Sequence, residues 1–483
     1  MAHFRPVLVE EVVVVKQHLT MNIWGELSRK GSEALVKVLE SSSLSLLTLN
    51  VRGNLTDDVL ISIASGLKGC NTLSSIIVNT WGELTTEGGT VLSDPSVNNL
   101  GVQVKVRNVR VGPDESDSVP SVSVDKPESL TSLFARIKDT GKEVVSLKID
   151  NCNNNGAIKE WTNRLGDALE DTSVAQLDLR ISNCEMGVDL ANALRETFSR
   201  STLLTALSLT INNCKRENWG DSLVESLAKL ASLTSLSLKF HSASDHSDTI
   251  HKRSLGKLWG SGVFNLLMKC QSLKKLCVTL NSYFGINFEY DDFGLNFGLK
   301  ETSSLNTLEM TMCINHLSLG ETFLLNSLGQ GLSLNNSLTT LTLIVNVHGV
   351  WENTPKTLTR FSQGLAKNKS LTTLSLTVKE YGKGKSFVPW FLRVCGVFKG
   401  LAQNTSIATF NLELNSSKEV SDNWLPSLCD ALKKNTSLTT LRLQVNNHCA
   451  GESHLYDLSK RLIECRSLSL LELEVSFYGK ESD

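Results

Sequence analysis

Aromatic residues are scarce in this chain: Phe, Trp and Tyr make up 6% of its 483 residues. Its core must therefore be closed by aliphatic side chains. Only 8 prolines are present, and Pro113, Pro120 and Pro127 crowd into one short stretch, which leaves the rest of the chain free for regular elements. No charge predominates, since 48 Lys and Arg face 50 Asp and Glu for a net charge of −2. That balance excludes a generic polyanion-binding surface, so nucleic acid is not an expected partner. Long apolar runs are also missing. Val12–Val15 is far short of the ~20 residues that span a bilayer. The segment from Met1 to Lys16 carries Arg5, Glu10 and Glu11 where a signal peptide would be apolar. Membrane insertion is not expected, and the chain reads as cytoplasmic.

Catalytic motifs are absent as well. Gly382-Lys383-Gly384-Lys385-Ser386 contains Gly-Lys-Ser, but Lys379 stands where a phosphate-cradling loop requires Gly. Asp292-Phe293-Gly294 lacks the His-Arg-Asp loop that gives a kinase tripeptide its meaning. His241, His246 and His251 are spaced by five, which does not gather imidazoles on one helical face, and no Cys or carboxylate pattern completes a zinc site. No enzyme activity, metal or cofactor is expected.

What the chain has in abundance is one leucine phrase. Leu338-Leu341-Leu343-Asn346 and Leu438-Leu441-Leu443-Asn446 are the clearest copies. Leu204-Leu207-Leu209-Asn212, Leu273-Leu276-Val278-Asn281 and Ile407-Phe410-Leu412-Asn415 keep the spacing. Val144-Leu147-Ile149-Cys152 and Leu305-Leu308-Met310-Cys313 end in Cys instead. Weaker copies without the Asn begin at Leu44, Leu73, Val97, Val174, Leu233, Leu371 and Leu468, and a degenerate first copy lies at Leu19-Met21. This is the signature of a leucine-rich repeat, with about fifteen strands at a period near 33 residues. Alternation of period two puts the apolar side chains on one strand face. The closing Asn is expected to bond buried backbone groups of the next coil, so Asn346→Leu and Asn446→Leu should be destabilising.

Helices separate the strands. Leu425, Leu428, Cys429 and Leu432 fall on one helical face, Pro426 suits the first turn, and Asn435 suits a left-handed C-cap. The ending Gly-Leu-Ala recurs at Gly364 and Gly400. A repeated helical Gly costs roughly 1 kcal/mol against Ala, which predicts close approach of neighbouring helices there.

The phrase and the period resemble the ribonuclease-inhibitor-like class of leucine-rich repeats, which also forms the sensor region of NOD-like receptors. The resemblance covers nearly the whole chain. It implies an α/β solenoid, a horseshoe with parallel inner strands and outer helices. Eleven cysteines, an odd number without an end cluster, read as reduced thiols. Sequons at Asn54, Asn335, Asn368, Asn404, Asn415 and Asn435 mostly follow from the repeat, because Asn-x-Ser recurs at the helix-to-strand turn. Glycosylation is not expected at them.

Three irregularities interrupt the array. Residues 107–129, rich in Pro, Ser and Asp, read as a loop or hinge between N-terminal repeats at 1–106 and a main array at 130–483. His241 to Gly262 reads as a solvated insertion, and Tyr283 to Phe297 gathers six aromatics, including Tyr283 and Phe284. On the strand face the outward residues are small and polar: Thr439, Thr440, Arg442 and Gln444 in one repeat, Thr372, Thr373, Ser375 and Thr377 in another. Anchors for a protein partner are expected instead in the loops leaving the strands, at Trp24, Trp81, Trp351 and Tyr381, with Tyr283 and Phe284 as further candidates.

These residues point to a non-catalytic protein-interaction scaffold. The resemblance implies an innate-immune sensor role, with a stoichiometric enzyme inhibitor as the alternative. The last strand, Leu471 to Val475, precedes only eight residues, Ser476 to Asp483, too few for a covering helix. Either the chain is a segment of a longer protein, or association covers that C-terminal edge.

Overall fold

The computed structural model describes residues 18–24, 46–51, 75–80, 103–108, 121–123, 144–150, 155–170, 174–182, 188–212, 219–242, 263–282, 295–314, 320–347, 358–381, 391–416, 424–447 and 467–477. Their strands are β1 (His18–Trp24), β2 (Leu46–Val51), β3 (Ser75–Thr80), β4 (Gln103–Asn108), β5 (Ser121–Ser123), β6 (Val144–Asp150), β7 (Gln176–Ser182) and β8 (Ala206–Asn212). Then come β9 (Ser235–Ser242), β10 (Lys275–Ser282), β11 (Thr307–Ile314), β12 (Thr340–Val347), β13 (Thr373–Glu380), β14 (Thr409–Ser416), β15 (Thr440–Asn447) and β16 (Leu470–Phe477). The described helices are α1 (Asn155–Glu170), α2 (Val188–Arg200), α3 (Trp219–Leu227), α4 (Val263–Lys269), α5 (Leu295–Glu301), α6 (Gly320–Leu334), α7 (Thr359–Lys367), α8 (Phe391–Gln403) and α9 (Trp424–Lys434).

The chain forms two compact units, one from Pro113–Val388 and one that joins Met1–Gly112 to Pro389–Asp483. In the first, β5 to β13 pair in sequence order, all parallel. Register is kept from strand to strand, so Leu341 lies between Leu308 and Leu374, and Leu343 between Met310 and Leu376. The leucine phrase thus becomes stacked columns. Leu147, Leu179, Leu209, Leu238, Leu343 and their equivalents are buried, each contributing about 2 kcal/mol by area. The alternate residues face away from the helices. Arg180, Lys239 and Lys275 among them are exposed, Cys277 and Thr311 are buried, and Thr340 and Thr440, expected to be exposed, are half-buried because neighbouring strands crowd both flanks of each side chain.

In α9 the buried face carries Leu425, Leu428, Cys429 and Leu432, as their spacing predicts. Close helix approach is also found where the recurrent glycine marks it. A Cβ on Gly364 would collide with the backbone of Gly329 on α6, and one on Gly329 would collide with Arg360 and Phe361 on α7.

The second unit corrects the expected open edge. Its strand order is β4-β3-β2-β1-β16-β15-β14, with β16 paired in parallel to β15 on one side and to β1 on the other. His18 pairs with Leu470 and Ile23 with Val475. The chain's own first strand therefore covers the edge that was expected to need an associating molecule. Strand β4 also departs from expectation. It starts at Gln103, and Val104 and Val106, not Leu100 and Val102, stand in register with Ile76 and Val78. The Pro-rich stretch is not wholly loop, since it contains β5, which pairs with β6.

The turn from helix to strand is built on asparagine. Asn335 Oδ1 accepts from the backbone N–H of Ser337 (3.0 Å) and Leu338 (2.7 Å), and its Nδ2 donates to the Leu299 and Thr302 carbonyls one repeat earlier. Asn368 repeats this with Ser370, Leu371, Leu332 and Asn335. Asn435 does so with Ser437, Leu438, Leu401 and Asn404. Asn404 accepts in the same way from Ser406 and Ile407. The serine two residues on adds a rung, with Ser337 Oγ donating to the Leu305 carbonyl and Ser370 Oγ to that of Leu338.

The C-cap Asn368, at the turn position that Asn435 holds in its own repeat, has φ −68° and ψ 135°, which is extended backbone. One expectation changes accordingly. Backbone bonding is shown for this column, whereas Asn346, which ends the leucine phrase, bonds a side chain instead. Among the described residues, Asn346 donates to Cys313 Sγ at 3.6 Å, a side-chain pairing, and the Asn446 side chain lies outside them.

Candidate partner-binding face

The helix-free face of β6–β13 is a lattice of registered columns. One column runs Lys148, Arg180, Thr210, Lys239, Thr279, Thr311, Ile344, Thr377. A second runs Ser146, Asp178, Ser208, Ser237, Cys277, Glu309, Thr342, Ser375. Strand-favouring hydroxyl residues fill the end near β12 and β13. Cations gather nearer β6–β10.

The charges there are not equivalent. Arg180 holds Asp178 through both Nε and Nη2, each 3.1 Å from Oδ2, and Ser146 Oγ donates to the same carboxylate at 3.2 Å. That pair neutralises itself. Lys239, Lys274 and Lys275 are exposed, and none has an ion-pair partner among the described residues. Burial, and then the Lys239 ammonium, depress the His241 pKa below its usual 6.5. Burial, reinforced by the Glu309 carboxylate, raises that of Cys277. In the other unit Arg442 Nε meets Glu472 Oε2 at 2.7 Å across β15 and β16.

Of the aromatic anchors expected from sequence, Tyr381 is placed and exposed (53%), just beyond β13, where its N–H donates to the Val347 carbonyl at 2.8 Å. Trp24 closes β1 in register with Ser476. Trp81, Trp351, Tyr283 and Phe284 lie outside the described residues. His241 belongs to β9 rather than to an insertion. The sequence reading missed Lys239 and Lys275. Their signal is the period-two alternation of Ser235-Leu236-Ser237-Leu238-Lys239 and Lys275-Leu276-Cys277-Val278, which puts both on the open face.

Cys270, Cys277, Cys313, Cys395 and Cys429 are free thiols. Among the described residues, no helix is long and apolar enough to cross a membrane. Columns, register and buried leucines together define an α/β solenoid of leucine-rich strand–helix repeats. Family models show no match to the chain, and neither do curated proteins. Among solved structures, it is similar to one titled leiomodin-1 actin-binding site 2, at 14% identity, over 36% of this chain and 87% of that one, with a TM-score of 0.22. At that TM-score the likeness carries no weight, and the class rests on the repeat itself.

Proposed function

We propose that the chain is a non-catalytic scaffold that binds a protein partner on the helix-free face of its strands, as a cytoplasmic sensor region of the NOD-like receptor type. The observation that carries this reading is the face itself. Register-locked columns hold Thr307, Thr340, Thr342, Thr373, Ser375 and Thr377 half-exposed, while the ladder of buried Asn residues fixes the backbone beneath. Rigid elements that present adaptable hydroxyls suit recognition of a folded surface, with Tyr381 as an aromatic anchor at the side. A stoichiometric enzyme inhibitor is the second reading. The exposed Lys239, Lys274 and Lys275, without an ion-pair partner among the described residues, favour an acidic enzyme over a basic one.

The test is site-directed crosslinking in cell extract, with a photoreactive residue at Thr342 on the open face or at Gln363 on the helix side. A discrete protein captured from Thr342, and competed by unlabelled chain, is the expected result. Capture from Gln363 alone, or from neither position, would overturn the reading.

A further inference from the structure

Among the described residues, the open face holds one place where charge without an ion-pair partner, small side chains and fixed spacing coincide, and it lies on β8, β9 and β10. Lys275 stands in register with Ser235, and Lys239 with Thr279. The two ammonium groups therefore project from adjacent strands ~4.8 Å apart, offset by four residues, or roughly 13 Å along the strand direction. Between them lie Ser237 and Cys277, with Ser208 beside Ser237 on β8. None is larger than a hydroxyl or thiol, so the floor between the lysines is low and a main chain can come close. Thr210 and Thr279 flank Lys239 with hydroxyls that donate or accept.

The surrounding charges narrow the occupant. On the β7 side Arg180 is already engaged by Asp178, so it neither competes for an anion nor repels one strongly. On the β11 side Glu309 faces Cys277 and repels carboxylates, which confines an acidic ligand to β8–β10. The described open face of these strands carries no Phe, Tyr or Trp, since Phe240 is buried, and its one ring, His241, is half-buried beside Lys239. A single half-buried imidazole is a poor platform for the successive stacked bases of a single-stranded nucleic acid. An extended peptide advances about 3.3 Å per residue, the same rise as the strands beneath it.

We propose, building on the partner-binding reading above, that this trough docks an extended acidic segment of a protein partner, with Lys275 and Lys239 each receiving a carboxylate from residues about four apart in that segment. Lys274, next to Lys275, adds to the positive potential at that end.

The experiment uses the full chain and fluorescein-labelled dodecapeptides of Gly and Ser in fluorescence polarisation at low salt. One peptide carries glutamates four residues apart, one carries them two apart, and one has Gln in both places; a dodecamer of thymidylate is the fourth probe. The four-apart peptide should bind at least fivefold more tightly than the other two peptides, and weaken as salt rises. Lys239→Glu with Lys275→Glu should abolish that difference. Lys239→Gln with Lys275→Gln should reduce it at unchanged melting temperature, and Lys433→Glu with Lys434→Glu should leave it intact. Equal binding of the Gln peptide, equal or tighter binding of the thymidylate, or full binding by the double Glu variant would each overturn the proposal. If that variant still captures the same protein from Thr342, the trough fails while the scaffold reading stands. Loss of all Thr342 capture from the unmodified chain fails the scaffold reading alone.

Discussion

Asn368 Nδ2 donates to the backbone carbonyl of Asn335, 3.0 Å away, and Asn335 donates in turn to the carbonyl of Thr302 at 3.3 Å. Each rung ties the end of one helix to the next, and its Oδ1 accepts from the two N–H groups that lead into the following strand. Both Asn side chains are 2% exposed, so water cannot replace the lost partners. Asn368→Ala strands up to four backbone groups and should cost about 3 kcal/mol or more, measured by chemical denaturation. A loss below about 1 kcal/mol would contradict the ladder's role.

The ladder column is incomplete at Thr302, whose buried Oγ1 has no hydrogen-bond partner. An Asn there would face the N–H groups of Ser304 and Leu305 as Asn335 faces those of Ser337 and Leu338. Thr302→Asn should therefore stabilise the protein by about 1 kcal/mol. A neutral or destabilising result would show that this turn cannot admit the carboxamide.

Two glycines should respond oppositely to the same change. Gly364→Ala drives a methyl into the Gly329 backbone, so the helices must separate, at a cost of about 2 kcal/mol. At Gly166 the nearest atom to a new Cβ is 3.5 Å away, an ordinary contact, so Gly166→Ala should be neutral or stabilising through helix propensity. Thermal melts of the two variants decide the matter, and similar melts would refute the close crossing.

Burial pushes the Cys270 thiol up to about 11, with Lys269 opposing only in part. Thiolate is the reactive form, so at pH 8 this side chain should resist alkylation in the folded protein. Half-buried Cys395 should be modified before it, as read by site-resolved mass spectrometry. Early labelling of Cys270 would mean that α4 opens readily.

His241 should titrate below 6.5, because burial and then Lys239 disfavour its charged form. The unfolded chain then binds a proton that the folded chain refuses, so stability falls as pH drops through the range just under 6.5. Lys239→Gln removes the second cause and should move the NMR midpoint upward. An unchanged midpoint would leave burial as the whole explanation.

Local pattern carried most of the repeat into view. Leu341 and Leu343, or Leu441 and Leu443, declare their strands because burial on one face leaves an alternation that nothing else explains. Strand β4 misled by four residues, because Leu100, Val102, Val104 and Val106 all alternate and only pairing with β3 decides between them. The role of the asparagines was split between two turns that look alike in sequence, and the hydrogen bonds of Asn335 and Asn346 separate them. The docking trough was not legible, since Lys239 and Lys275 are 36 residues apart and become neighbours only through the β9–β10 register.

The parallel pairing of His18 with Leu470 sets an order of events during synthesis. These residues are roughly 450 apart in the chain, so closing that contact carries a large entropic cost that neighbouring rungs do not share. Strands β5–β13 pair only with sequence neighbours and can zip up as they emerge from the ribosome. Strand β1 must wait until β16 has emerged. Its free edge is a temporary hazard for every newly made copy, and a delay before β16 is made would prolong it.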